Sequence, residues 1–274
     1  MSGRSQSIDS NVASPARRYN FWLGGKDNFA VDRASGDAIE RLYPKVRNDA
    51  WVNRRFHARA VERLAAVEGI DQFLDIGCGI PLGDDDTHDI AQRVNPDARV
   101  VYVDHDPVVM THVRALLPSH HAPENVGHVE ADLRRPEEII DGARATLDLS
   151  KPVAVLLVAV LHFLRDSDHP YAAVRTLMQA LPARSVLVLT HASMELASAP
   201  ARKAFNAVDL KDVPGAGSFT DRSKDQIERF FDGLTFLGGY PGVVPLHQWH
   251  PRYGRYPVSM PDKPAAVYGG AAWT

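Results

Sequence analysis

Residues 72–79 read QFLDIGCG, from Gln72 to Gly79. A short apolar run meets an acid, Asp75, and passes directly into Gly77-Cys78-Gly79. An apolar run of this length closed by glycine reads as a buried strand. The two glycines let the backbone turn sharply and approach a bound molecule closely. The stretch is therefore predicted to be the first strand of an open α/β sheet, with a ligand-facing loop at its tip.

The same pattern recurs on the C-terminal side. ARVVYVDHD (98–106), GHVEADL (127–133), PVAVLLVAVLHF (152–163) and SVLVLTHAS (185–193) read as further strands. Helices are expected at Thr87–Val94 with Asp86 or Thr87 as N-cap, from Pro107, from Pro136 to about Leu147, and at Tyr171–Leu181. Such alternation implies a mostly parallel sheet covered by helices on both faces. With GVVPLHQWH (242–250) and PAAVYGGAAW (264–273) as last strands, the expected class is an α/β Rossmann-like fold with a seven-stranded sheet.

On the N-terminal side, RRYNFWLGGKDNF (17–29) sets aromatics around Gly24-Gly25. A long helical stretch follows, broken near Pro44. Its second part, Asn48–Ala66, places Trp51, Phe56, Ala60 and Leu64 near one face, and Gly69 stops it. The chain divides into a flexible tail (1–15), an N-terminal helical extension (16–70) and the core (71–274). The core carries an insertion near 194–222, followed by a helix from Lys224 to Phe231.

The chain has 274 residues, 45% hydrophobic and 24% charged, as in ordinary globular proteins. A formal net charge of -3 argues against recruitment of nucleic acid or an anionic membrane. Residues 16–63 carry five more basic than acidic side chains, which suits a carboxylate but more plainly a solvated helix face. The lone cysteine, Cys78, excludes an internal disulfide and a multi-thiolate metal centre, and fits a reducing compartment. The polar start and the short longest apolar run, Val153–Leu161, point to a cytoplasmic protein without a membrane span. Oligomeric state is not legible in the sequence.

The strand ends carry the chemistry. In a dinucleotide loop a third glycine completes G-x-G-x-x-G, but here Leu82 stands in its place. Asp75 and the run Asp84-Asp85-Asp86 would repel a pyrophosphate. A cationic ligand is the better match, and S-adenosylmethionine carries an ammonium and a sulfonium with no phosphate. A tight turn without a ligand is the plainer alternative. Asp104, with His105 beside it, suits a ribose diol, and Asp132 between Ala131 and Leu133 suits an adenine amino group. Each acid alone reads as a helix-approach residue; together they mark successive strand tips. Val160 and His162 follow the fourth strand, and Tyr19, His162 and His191 are candidate bases. No metal site is expected, because His247-x-x-His250 lacks a helical pattern to align it.

The ordered motifs DIGCG, VDHDP, ADL and AVLHF resemble those of the class I S-adenosylmethionine-dependent methyltransferases. More narrowly, RRYNFWLGGKDNFAVDR, NRRFHARAV, QFLDIGCGIP, ARVVYVDHDPVVM and LLVAVLHFL resemble a bacterial family of such enzymes with an LGGKDNF signature and no defined acceptor. The resemblance implies that Asp75, Gly77 and Gly79 hold the methionine portion and Asp104 the ribose. It implies that Ala131, Asp132 and Leu133 border the adenine, and Val160 and His162 the methyl group. Residues from Tyr19 to Asn28 would cover the cofactor, with Arg54 as partner of its carboxylate. The acidic LGDDDTHD after Pro81 departs from the family pattern. The expected activity is methyl transfer to an O or N atom of a small-molecule acceptor, with His162 and Tyr19 as candidate catalytic residues. A non-catalytic S-adenosylmethionine-binding module and an NAD(P)-dependent oxidoreductase are the competing readings.

Overall fold

The structure is a computed structural model that describes residues 11–83, 85–116, 123–208, 217–249 and 263–274. Three helices precede the sheet: α1 (Pro15–Trp22), α2 (Ala30–Leu42) and α3 (Val46–Ala66). Proline opens α1, where its missing N–H has no helical partner to lose. Asp32 in the first turn of α2 is buried. It accepts hydrogen bonds from Ser14 N (2.9 Å), Arg17 Nε (2.8 Å) and Phe29 N (2.8 Å), fastening the starts of both helices together. Ala13 and Ser14, assigned to the tail from the sequence, are buried.

Five parallel strands follow: β1 (Gln72–Ile76), β2 (Arg99–Asp104), β3 (Val126–Glu130), β4 (Ala154–Leu157) and β5 (Val186–Ala192). Between and after them lie α4 (Thr87–Val94), α5 (Pro107–Leu116), α6 (Pro136–Ala143), α7 (Pro170–Gln179), α8 (Ala199–Asn206) and α9 (Lys224–Glu228). The two-residue strands β6 (Thr235–Phe236) and β7 (Val244–Pro245) pair with the antiparallel β8 (Val267–Trp273). The order is β3-β2-β1-β4-β5-β8-β6, with β7 also on β8.

The sheet thus has eight strands among the described residues rather than seven. GVVPLHQWH supplies only β7, because a 3-10 turn at Leu246–Gln248 lifts the chain away, and His250 lies outside the described residues. β4 also ends early. Ala159 takes a left-handed φ of 59°, and Leu161–Phe163 forms a 3-10 turn instead of strand.

Side chains alternate between two cores, as a pleated strand requires. Phe73, Val100 and Leu156 pack with α3, α4 and α5 on one face; Leu74, Val101 and Leu157 pack with α6 and α7 on the other. Along α3, Val52, Phe56, Ala60 and Leu64 form the buried stripe, while Trp51, one position off it, is 48% exposed. No described helix is long and apolar enough to cross a membrane.

Candidate active site

The C-terminal tips of the parallel strands and the underside of α1–α3 enclose a cavity of about 950 Å³. That is at the upper end of the roughly 300–1,000 Å³ of small-ligand sites. Asp75, Gly77, Gly79, Asp104, His105, Ala131, Asp132, Leu133, Val160, His162, Arg54 and Tyr19 all border it.

At the tip of β1, Gly77 and Gly79 take φ of 68° and 69°, a region that side-chain-bearing residues rarely adopt. A Cβ on Gly77 would also run into the Val160 side chain. Asp75 accepts from the Thr87 hydroxyl at 2.6 Å. With that proton used, Thr87 must accept from His57 Nε2 at 2.8 Å. At the tip of β2, Asp104 accepts from Gly79 N (3.2 Å) and Asp106 N (2.9 Å). Burial pushes its carboxyl above the usual range. His105 is exposed, 3.6 Å from Asp104.

Beyond β3, Asp132 is gripped by Arg134, whose Nε and backbone N each lie 2.9 Å from Oδ1. Those bonds hold the carboxyl below its ordinary range. Arg54 is engaged on one side by the loop after β1. Its guanidinium donates to Asp86 Oδ1 (2.6 Å) and Asp85 O (2.8 Å). Burial disfavours its charge, but Asp86 outweighs this and raises its pKa. Asp86 in turn accepts from Leu82 N (3.2 Å) and Gly83 N (3.3 Å). The acidic departure after Pro81 is thereby explained in part as the counter-charge of Arg54; Asp84 lies outside the described residues.

The candidate bases are engaged. Tyr19 donates to Ala50 O (3.0 Å), accepts from Asn53 Nδ2 (2.8 Å), and is pushed above its usual pKa by burial. His191 places Nδ1 at 2.7 Å from Ala192 O and Nε2 at 3.1 Å from Arg222 Nη1. A carbonyl only accepts and a guanidinium only donates, so the ring is the neutral Nδ1–H tautomer. Burial lowers its pKa to about 3. His162, buried among Phe163, His191 and Phe219, is pushed well below 6.5 by burial.

Sequence reading missed the residues that hold these parts in place. Thr190 accepts from Ala159 N (2.8 Å) and donates to Asn53 Oδ1 (2.7 Å). A chain of hydrogen bonds therefore runs from the left-handed Ala159 through β5 and α3 to Tyr19 on α1. Ser14 Oγ reaches Asp106 at 2.9 Å across the cavity rim. Arg222, almost wholly buried, donates to Leu161 O (3.0 Å), Leu164 O (2.9 Å) and Asp166 (2.7 Å). In the sequence the only trace of Asn53 is a row of polar residues, Asp49, Asn53 and His57, at one-turn spacing on a helix that is otherwise buried by apolar side chains.

The family model described as S-adenosyl methyltransferase matches residues 1–274. The chain belongs to this S-adenosyl methyltransferase family. A DUF574 family protein from Streptomyces avermitilis is 37% identical, with 98% of this chain and 100% of that one covered and a TM-score of 0.86. A candidate methyltransferase from Thermobifida fusca is 36% identical over 97% of this methyltransferase and 96% of its own chain, with a TM-score of 0.81. No protein among those with curated functions matches. The family's cofactor is S-adenosylmethionine. The residues suit it: two left-handed glycines leave a cradle that a Cβ on Gly77 would fill, and carboxylates ring the cavity. Among the described residues of this methyltransferase, no group of three or more His, Cys, Asp or Glu is placed to hold a metal. His250, the second residue of the His-x-x-His pair, lies outside the described residues.

Proposed function

We propose that the chain moves a methyl group from S-adenosylmethionine to an O or N atom of a small-molecule acceptor. The observation that carries this is the convergence of Asp75, Asp104 and Asp132, from three adjacent strand tips, on one cavity that continues past Val160 and His162. S-adenosylmethionine supplies a methyl group already activated on a cationic sulfur.

The chain's own residues bind and orient. Asp75, Gly77 and Gly79 take the methionine portion, and Asp104, buried and aimed from β2, accepts from the ribose hydroxyls. Ala131, Asp132 and Leu133 border the adenine, with His105 at the rim. Val160 and His162 flank the reacting end. Arg54 braces the loop through Asp86 and keeps further N–H donors for a carboxylate. Neither Tyr19 nor His162 is poised to take a proton, so their role is to shape the site. Alignment and exclusion of water then carry the rate, since positioning alone can lower the barrier by roughly 7–11 kcal/mol. The single cysteine, Cys78, suits a reducing compartment, and the proposal places the enzyme in the cytoplasm.

Calorimetry with S-adenosylmethionine and with NAD tests the assignment. Binding of the first only is expected, and Asp104→Ala should weaken it about tenfold or more, roughly 1.4 kcal/mol. NAD binding, or an unchanged affinity in that variant, would overturn it. The lack of a poised base favours a second reading, a binding module without turnover. Release of S-adenosylhomocysteine in a metabolite extract decides between the two.

A further inference from the structure

The cavity extends beyond the residues assigned to the cofactor. The strand order puts the acid-bearing tips of β2 and β3 on one side, and the tip of β5 with the start of β8 on the other. On that second side Tyr43, Met194 and Ala266 form a small buried cluster, with Phe205 and Phe219 packed against it. All five border the cavity. The Phe219 ring lies 5.6 Å from that of His162 and 5.4 Å from that of Phe205, so this wall is largely aromatic.

One carboxylate belongs to the wall. Asp49, in the first turn of α3, is 8% exposed and borders the cavity. Its Oδ2 accepts from the Tyr43 hydroxyl (2.8 Å) and Ala266 N (3.2 Å), and its Oδ1 from Asn48 Nδ2 (3.3 Å). A carboxylate offers about four acceptor positions, so Oδ1 keeps capacity for one more donor. Asp49 lies one helical turn before Asn53, on the face that reaches Thr190 and Ala159. No lysine borders the cavity among the described residues. Five arginines border it: Arg17, Arg54 and Arg134 are bound by Asp32, Asp86 and Asp132, Arg18 is buried, and Arg165 is exposed.

We propose that this lobe is the acceptor subsite, and that it takes a planar aromatic molecule with an O–H or N–H donor and no anionic group, the donor hydrogen-bonding to Asp49. The assignment rests on the methyl-transfer reading. Aromatic walls favour a flat ring in offset or edge-on contact. An anion entering here would lose its hydration and face a buried carboxylate, which is a heavy penalty. Burial already holds the Asp49 carboxyl above its usual range.

The test is calorimetry on the full chain saturated with S-adenosylhomocysteine, titrated with three probes of similar size. 2-Naphthol is flat, neutral and a donor; 2-naphthoate is flat and anionic; decahydro-2-naphthol is a donor but not flat. 2-Naphthol should bind about tenfold more tightly than either of the others. Asp49→Asn should weaken it about fivefold or more, with the S-adenosylmethionine Kd within about twofold of the parent. Phe219→Leu, which keeps bulk but removes the aromatic face, should weaken 2-naphthol in the same way. That variant serves if D49N does not fold. Equal binding of 2-naphthoate, no binding of 2-naphthol, or indifference to the substitutions would overturn the subsite while leaving the methyl-transfer reading intact. Failure to bind S-adenosylmethionine at all would instead remove the reading on which it stands.

Discussion

Thr190 is wholly buried and uses its hydroxyl in both directions, toward Ala159 N and toward Asn53. Thr190→Val keeps the shape and removes both bonds. It leaves a part-buried N–H and a buried amide oxygen without partners, so a loss of about 1–3 kcal/mol is expected in urea denaturation. Thr190→Ser should restore most of it. Gly77 is constrained twice, by its φ of 68° and by Val160. Gly77→Ala should cost about 1–3 kcal/mol of stability and abolish measurable S-adenosylmethionine binding by calorimetry. Adding Val160→Ala relieves the collision but not the backbone strain, so the double variant should recover only part of the loss. The glycines and the three acids were legible from the sequence because a strand followed by a tight turn leaves a local pattern. Thr190 and Asn53 were not, because they are 137 positions apart and meet only in the folded sheet.

At the scale of elements, the segment after β4 is held by a side chain from far downstream. Arg222 ties down Leu161 O and Leu164 O while its guanidinium lies 5.6 Å over Phe230. Arg222→Met should destabilise the fold by about 2–4 kcal/mol, since buried carbonyls lose charged donors; the contact with the exposed Asp166 adds little. Arg222→Lys should rescue poorly, because one ammonium does not span the acceptors that the planar fork reaches. Chemical denaturation of the three proteins is the measurement. β1, β2, β4 and β5 were legible from their apolar runs, while β3, partly exposed and mixed in polarity, was read from its place in the alternation. The early end of β4 was not: Val158–Leu161 is as apolar as the strand before it, and the turn arises from the Thr190 bond to Ala159 and the Arg222 bonds beyond. The base candidates were read as aromatic or imidazole side chains near the reacting end, but their burial and partners, invisible in sequence, keep Tyr19 protonated and lower the proton affinity of the two histidines.

Across the whole molecule, the buried histidines set a pH dependence. His191 titrates near 6.5 when exposed and at about 3 in the fold. Between those values the unfolded chain binds more protons, so stability falls as pH drops, by at most about 1.4 kcal/mol per unit. The contribution is fully present above pH 6.5. His162, 5.5 Å away and also depressed, acts in the same direction. Asp49 and Asp104 act oppositely near the carboxylate range, because their folded pKa values are raised. Comparing parent and His191→Gln by urea denaturation from pH 7.5 to about 4 isolates the histidine term. The variant should show the flatter decline; parallel curves would refute it.

The helical roof over the cavity is latched by side chains: Ser14 to Asp106 on one rim, Tyr19 to Asn53 within. If a molecule held beneath it departs as these latches let go, its dwell time is set by the roof and its affinity largely by the floor. Ser14→Ala should therefore quicken escape and entry of S-adenosylhomocysteine together, as stopped-flow fluorescence would record, while the ratio of the two rates barely moves. An unaltered escape rate would mean that traffic uses another doorway.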